Sequence, residues 1–479
     1  MYAGFVQDDW KLTPRLTFNA GLRYEYNIPI FDHRNLLSNF NPITGQIDVA
    51  GQNGVQRAIW DPNNTDFEPR FGFSWQPFRS SRTVIRSGYG IFYNSPALNI
   101  VNSGPQQSNA PFVAAQTFNS SLASPISLSN PFPINNAAAG FLTLSAISRH
   151  LPDAQIQQWN FNIQQELTRT LVLEVGYQGS KGTHLPLLYN INQPLPGPGT
   201  VAQKQALRPY PQFGNINFNT SRGDSSFNGL ITRLEQRYNK GLSFLLSYMW
   251  GKSIDDTPGT PYNVTPSRSA AEDPANFTRE RGLSGFDVRH RMVFSPVYQL
   301  PFGPGKQFLS GNRVLGYLAG GWEISGILTL QSGRPFTALV SRDNANVLAS
   351  VDRPNVVGDP FQVGPIAGNP TCAFAPPAQL RTPSAWFNPC AFALAPAGTF
   401  GNEGRNNLIA PSWKNLDVVM SRVFHIWENV SMQLRVEAFN AFNHPNFDLP
   451  VQTFDNASFG SIPAAEAARQ LQFGLKLRF

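Results

Sequence analysis

The chain has 479 residues, with 37 Lys+Arg against 30 Asp+Glu for a formal net charge of +7. Only 14% of residues are charged while 12% are aromatic, a mix too aromatic for a disordered chain and too poor in Glu and Lys for a coiled coil. No apolar run reaches the ~18–20 residues of a membrane-spanning helix, and the dispersed basic excess excludes a nucleic-acid surface of clustered Lys and Arg. A large secreted β-protein or a membrane β-barrel remains, the latter hiding its hydrophobicity by alternation along each strand.

Period-2 alternation predicts thirteen strands, at about 3–11, 15–26, 69–76, 82–93, 157–167, 171–180, 226–238, 241–252, 286–300, 319–333, 413–424, 430–443 and 470–479. In the second, Leu16, Phe18, Ala20, Leu22, Tyr24 and Tyr26 share one face, and Thr17, Asn19, Gly21, Arg23 and Glu25 the other. Phe71, Phe73 and Trp75 alternate with Gly72 and Ser74, and Trp159, Phe161 and Ile163 with Asn160 and Asn162. Leu242, Phe244, Leu246, Tyr248 and Trp250 form one stripe, and Leu471, Phe473, Leu475, Leu477 and Phe479 another. Many runs reach 10–13 residues, longer than the ~5–6 of ordinary strands and enough to cross a bilayer at a tilt.

The links alternate between short and long. Short ones fall at 12–14, 77–81, 168–170, 239–240, 301–318 and 425–429, and long ones at 27–68, 94–156, 181–225, 253–285, 334–412 and 444–469. Outer-membrane barrels sort their links this way, with short periplasmic turns and long extracellular loops. The expected fold is therefore all-β, a transmembrane antiparallel up-and-down β-barrel in the bacterial outer membrane. The terminal Phe479, closing an alternating strand, is expected to be the signal read by the barrel-assembly machinery.

Thirteen is odd, whereas bacterial single-chain barrels are even, and an open sheet edge is costly in hydrocarbon. The start at Met1 also lacks the basic and apolar regions of a signal peptide. The expectation is an incomplete barrel, the C-terminal part of a longer protein, whose first strand near Tyr2 to Lys11 lacks a neighbour.

Several stretches resemble TonB-dependent receptors, in the large Oar-like branch that carries an N-terminal carboxypeptidase-regulatory-like domain. They include Gly4 to Lys11 (GFVQDDWK), Leu16 to Tyr26 (LTFNAGLRYEY), Glu68 to Phe73 (EPRFGF), Arg86 to Tyr93 (RSGYGIFY) and Gln158 to Glu166 (QWNFNIQQE). Further ones are Gly176 to His184 (GYQGSKGTH), Phe286 to Arg291 (FDVRHR), Gly401 to Asn406 (GNEGRN) and Glu437 to Phe447 (EAFNAFNHPNF). Each is weak alone; their order along the whole chain carries the resemblance. It implies a barrel of about 22 strands, of which about thirteen are here. It also implies an N-terminal plug, energy supplied through the TonB complex, and passage of a large solute. The plug, the TonB contact and the regulatory-like domain are absent from this sequence, so none of their residues carries over.

Glu272 to Arg291 is the densest charge cluster. Arg289 and Arg291 share the face opposite Val288 and Met292 and are expected to point into the lumen, as ligand or plug contacts. Arg23 and Glu25 are candidates on the same grounds. Arg70, Glu166, Glu174, Arg435, Glu437, Lys476 and Arg478 are expected to be lumen charges with no binding role. No HExxH, GxSxG, Walker or Rossmann pattern occurs, so no catalysis, cofactor or metal is expected. An Asp255-Asp256 calcium site and sugar stacking at Trp60 or Trp386 are weaker ideas. Cys372 and Cys390, both in the 334–412 loop, are expected to form a disulfide in an oxidising compartment. The leading functional expectation is binding and gated passage across the outer membrane, with lipid, TonB, the assembly machinery and an unknown large solute as partners. The alternative is a structural or adhesive surface protein without transport.

Overall fold

Alternating apolar side chains leave each segment with one face for hydrocarbon and one for water, and thirteen such segments pair in chain order into a single antiparallel meander. The computed structural model describes residues 1–95, 109–113, 127, 129, 141–257, 271–311, 313–349, 352–427 and 429–479. The strands are β1 (Tyr2–Thr13), β2 (Leu16–Asn27), β3 (Asn63–Trp75), β4 (Thr83–Asn94), β5 (Ala154–Thr168), β6 (Leu171–Asn190) and β7 (Ile216–Asn239). They continue as β8 (Leu242–Asp255), β9 (His290–Gln299), β10 (Trp322–Gln331), β11 (Trp413–Trp427), β12 (Val430–Phe439) and β13 (Gln470–Arg478). Among the described residues β1 pairs only with β2 and β13 only with β12, so the sheet is open.

Register assigns the faces, because residues directly opposite in a ladder point the same way. Phe18, Phe73, Phe161, Tyr177, Trp250 and Phe473 lie on one face. Most of it is uncovered among the described residues: Trp250 is 53% and Phe473 72% exposed. An apolar wall of this extent needs a hydrocarbon solvent. The opposite face carries Asn19, Arg70, Arg86, Asn160 and Gln178 in matching register.

Some strands run well past the bilayer. β7 has 24 residues and β6 has 20, so β7 reaches roughly 80 Å at about 3.3 Å per residue. This corrects the expected loop at 181–225. Gly182–Asn190 pairs with Asn217–Ser225, and Leu144–Ile147 adds a parallel strand to the same extension. Above the membrane there is no lipid to enforce alternation, so the pattern fades while the pairing continues. Other ends are shorter than expected. β9 starts at His290, since the Asp287 carboxylate takes the Ser253 N–H at 2.6 Å. β12 stops at Phe439, where Asn440 enters the left-handed region at φ 47°.

The buried apolar residues lie in the long loops and in the strand extensions beside them. One cluster gathers Phe336, Phe387, Phe392, Leu408 and Phe459; a second Leu37, Ile59, Trp60 and Ile147; a third Phe40, Leu144, Ile216 and Phe218. The extracellular loops are thus a folded canopy on the rim of the sheet.

Candidate functional site

The candidate site is the polar wall and the canopy above it. Along the wall, opposite charges two residues apart share a face and neutralise each other. Arg23 Nε donates to Glu25 Oε1 at 2.6 Å, Arg70 pairs with Glu68 at 2.5 Å, Arg233 with Glu235 at 2.9 Å and Arg435 with Glu437 at 2.5 Å. Period-2 geometry brings such pairs together on one strand without a neighbour's help.

The structure brings Arg23 and Glu25 into contact with each other and sets Arg23 3.8 Å from Glu68. Arg289 and Arg291 stand seven strands away at the extracellular end, and the two groups do not meet. Arg289 approaches Asp287 at 3.7 Å. Arg291, opposite Met249 and Gln331, is exposed on the wall and makes no charge pair among the described residues. Around Arg23 the sequence reading missed Asp66 and Asp153, both buried. Asn27 Nδ2 donates to Asp153 at 2.6 Å and Asn63 Nδ2 to Asp66 at 2.5 Å. The expected boundary at 69 hid Asp66 and Glu68; the outward Phe67, Pro69, Phe71, Phe73, Trp75 series would have found them. Pro69, which cannot donate to a ladder, sits where pairing to β4 ends.

In the canopy the expected charge cluster divides. Glu272, Arg279 and Glu280 are loop ion pairs, not lumen groups. Arg353, 5% exposed, donates from Nε to Glu272 at 2.8 Å and from Nη2 to Glu280 at 3.0 Å. Arg279 adds a 2.9 Å pair to Glu272. Burial pushes the Glu272 carboxyl up, but Arg353 and Arg279 outweigh it and hold it below its usual range. Nearby Glu403 lacks a full ion pair, and burial pushes it up to about 7.

Two weaker expectations are corrected. Asp255 is paired with Arg405 and Asp256 accepts the Asp224 N–H at 2.6 Å, so both carboxylates are spent on the canopy. No group of three potential metal ligands exists among the described residues. Trp60 is buried in a loop core, and Trp386 donates to the Ile409 carbonyl at 2.8 Å beneath the Arg381 guanidinium; neither is an open stacking platform. Cys372 and Cys390 are bonded, with Cα atoms 5.4 Å apart.

An apolar outer wall, a charged inner wall and sorted links define a transmembrane β-barrel of the bacterial outer membrane. The family described as the outer membrane beta barrel domain matches residues 1–472, and the chain belongs to it. No curated protein matches the sequence. In fold, the chain is similar to the outer membrane transporter YddB from Escherichia coli, with TM-score 0.50 and 10% identity over 100% of this chain and 45% of that one. It is also similar to the siderophore receptor PiuA from Acinetobacter baumannii, with TM-score 0.44 and 9% identity over 99% and 42%. The FrpB iron transporter from Neisseria meningitidis gives TM-score 0.43 and 10% identity over 99% and 44%. The chain thus spans less than half the length of these structures.

Proposed function

We propose that this chain is part of the barrel of a TonB-dependent receptor of the Oar-like branch, passing a large solute across the outer membrane. One observation carries the reading: among the described residues the sheet is open and each edge strand is paired on one side only, as in a barrel section that further strands close and a plug fills. The ordered motifs add the family. In this reading the plug meets TonB, Arg289 and Arg291 with Arg23 and Glu25 meet plug or solute, and Phe479 is read by the assembly machinery.

The test is pull-down of the full-length gene product by the periplasmic domain of TonB. Binding that disappears when the segment preceding Met1 is deleted supports the reading, and no binding refutes it. The canopy's own cores and disulfide favour one second reading, a rigid adhesive surface. That reading predicts no TonB binding, and attachment to cells or polymers that survives collapse of the proton-motive force.

A further inference from the structure

The link between β9 and β10, residues 300–321, lies on the edge of the sheet that carries the short turns, which is the periplasmic edge of an outer-membrane barrel. It contains a helix, Arg313–Ala319, whose amphipathicity is inverted. Its small face packs inward: a Cβ on Gly303, at φ +109°, would sit 2.9 Å from the Gly320 Cα and 3.0 Å from the Gly316 carbonyl oxygen. Its large side chains are exposed, with Val314 69%, Tyr317 56% and Leu318 61% exposed and Phe308 49% exposed on the same link. A helix in water buries such residues and exposes its small or polar ones.

Arg422 fixes where this face points. It lies opposite Trp322 and Leu434, and Leu434 opposite Leu475, all on the lipid-facing wall. A guanidinium there needs partners, and it donates to the carbonyls of Tyr317 and Leu318, the C-terminal end of the helix. The Phe424, Tyr317 and Trp322 rings lie 4.2, 5.3 and 5.8 Å from it, and Trp322 Nε1 donates to the Leu318 carbonyl at 3.3 Å. The helix is thereby clamped outside the sheet, against the hydrocarbon wall. Lys306, exposed on the same link, suits an anionic headgroup.

We propose that residues 300–311 and 313–321 form an interfacial foot lying in the periplasmic leaflet, with phospholipid as the partner covering Phe308, Val314, Tyr317 and Leu318. Continuity with the lipid-facing wall selects lipid over a second copy or a periplasmic protein. An interfacial helix of this kind sits at headgroup depth with its apolar side in the acyl boundary.

Both cysteines of this chain are bonded, so in the full-length gene product, with any cysteine outside residues 1–479 replaced by Ser, single cysteines introduced as Val314→Cys and Leu318→Cys accept a nitroxide selectively. In vesicles of phosphatidylethanolamine and phosphatidylglycerol, the ratio of oxygen to nickel-chelate collisions at both sites should approach that at Phe473→Cys on the wall. It should exceed several-fold that at Ile43→Cys, a loop site 94% exposed to water. A ratio equal to the Ile43 value overturns the proposal. So does shielding from both reagents, which would assign the face to a protein. Adding Arg422→Gln should lower the ratio at Leu318 while Phe473 stays unchanged; an unchanged Leu318 ratio refutes the clamp.

Discussion

Arg353→Ala is the sharpest test of how the canopy is held. The guanidinium makes side-chain bonds to two carboxylates and a 3.1 Å bond to the Arg279 carbonyl, and the Arg353 N–H donates to Glu272 at 2.9 Å. Among the described residues, truncation leaves Glu280 with only the Glu272 N–H, at 2.9 Å, and Glu272 with Arg279 alone among cations. Removing one member of a buried ion pair costs about 3–5 kcal/mol, mostly from the charge left behind. The strands make no use of Arg353, so the loss is confined to the loops. Hydrogen exchange in 271–285 and 352–412 should therefore accelerate by roughly two to four powers of ten, while β7 and β8 keep their protection and the barrel its heat-resistant gel mobility. Arg353→Lys should fall in between, since it keeps the charge and loses the planar fork. Unchanged loop exchange would refute the reasoning, because the network would then contribute nothing. Acceleration spread evenly through the sheet would refute it too, by placing Arg353 in the barrel's global stability.

Reducing Cys372–Cys390, which closes a loop of 18 residues, should destabilise the 334–412 region by about 3 kcal/mol on the chain-entropy account, read as faster proteolysis there with the sheet intact. Glu403 is an acid raised from 4.5 to about 7; its folded form holds a proton that its unfolded form releases, so it costs stability as pH rises from about 4.5 and most above 7. Glu403→Gln should be nearly neutral at pH 5 and should slow canopy exchange at pH 8 by up to roughly 3 kcal/mol; equal effects at both pH values would refute this. Glu272, held low, has the opposite sign: its contribution is full above about 4.5 and disappears as pH falls through its lowered value. Asn192 donates to three carbonyls, of Tyr210, Phe213 and Gly214, at 2.6–3.1 Å; Asn192→Ala strands buried acceptors, should cost about 3 kcal/mol, and should open 191–215 to protease. Phe479→Ala should lower the amount of folded barrel recovered from outer membranes without lowering refolding yield in detergent; equal recovery would remove its role as an assembly signal.

The strands were legible because two solvents act on them. Lipid on one side and water on the other force every second residue to choose, and Leu16 to Tyr26 or Leu471 to Phe479 show that choice without any tertiary contact. The i, i+2 wall pairs follow from the same period, so Arg23 with Glu25 and Arg435 with Glu437 were readable as neighbours. Where lipid ends, the signal ends: Gly182 to Asn190 and Ile216 to Ser225 read as loop, although they form the most extended pairing in the molecule. The canopy was least legible, since its contacts are long-range. Arg405 reaches Asp255 across 150 positions, and no local pattern in Gly401 to Asn407 encodes that partner.

Exceptions to alternation carry information of their own. An arginine on the lipid face costs about 2–4 kcal/mol at the bilayer midplane and about 0–1 kcal/mol near the interface, so a folded barrel keeps one only near a rim or beside a local partner. Met420, Arg422 and Phe424 share the outward face of β11, and Arg422 is the member that breaks the apolar stripe. The break lies near the periplasmic end, and the structure supplies the partner, the carbonyl end of Arg313–Ala319. In Leu300 to Gly321 that helix looked like an untidy turn, because Val314, Leu315, Tyr317 and Leu318 match no strand period and six glycines interrupt the run. The outward arginine on a different strand was the better pointer. A charge that violates a barrel's two-solvent rule marks where the wall is covered by something other than lipid tails, and here it locates a periplasmic link with a shape of its own.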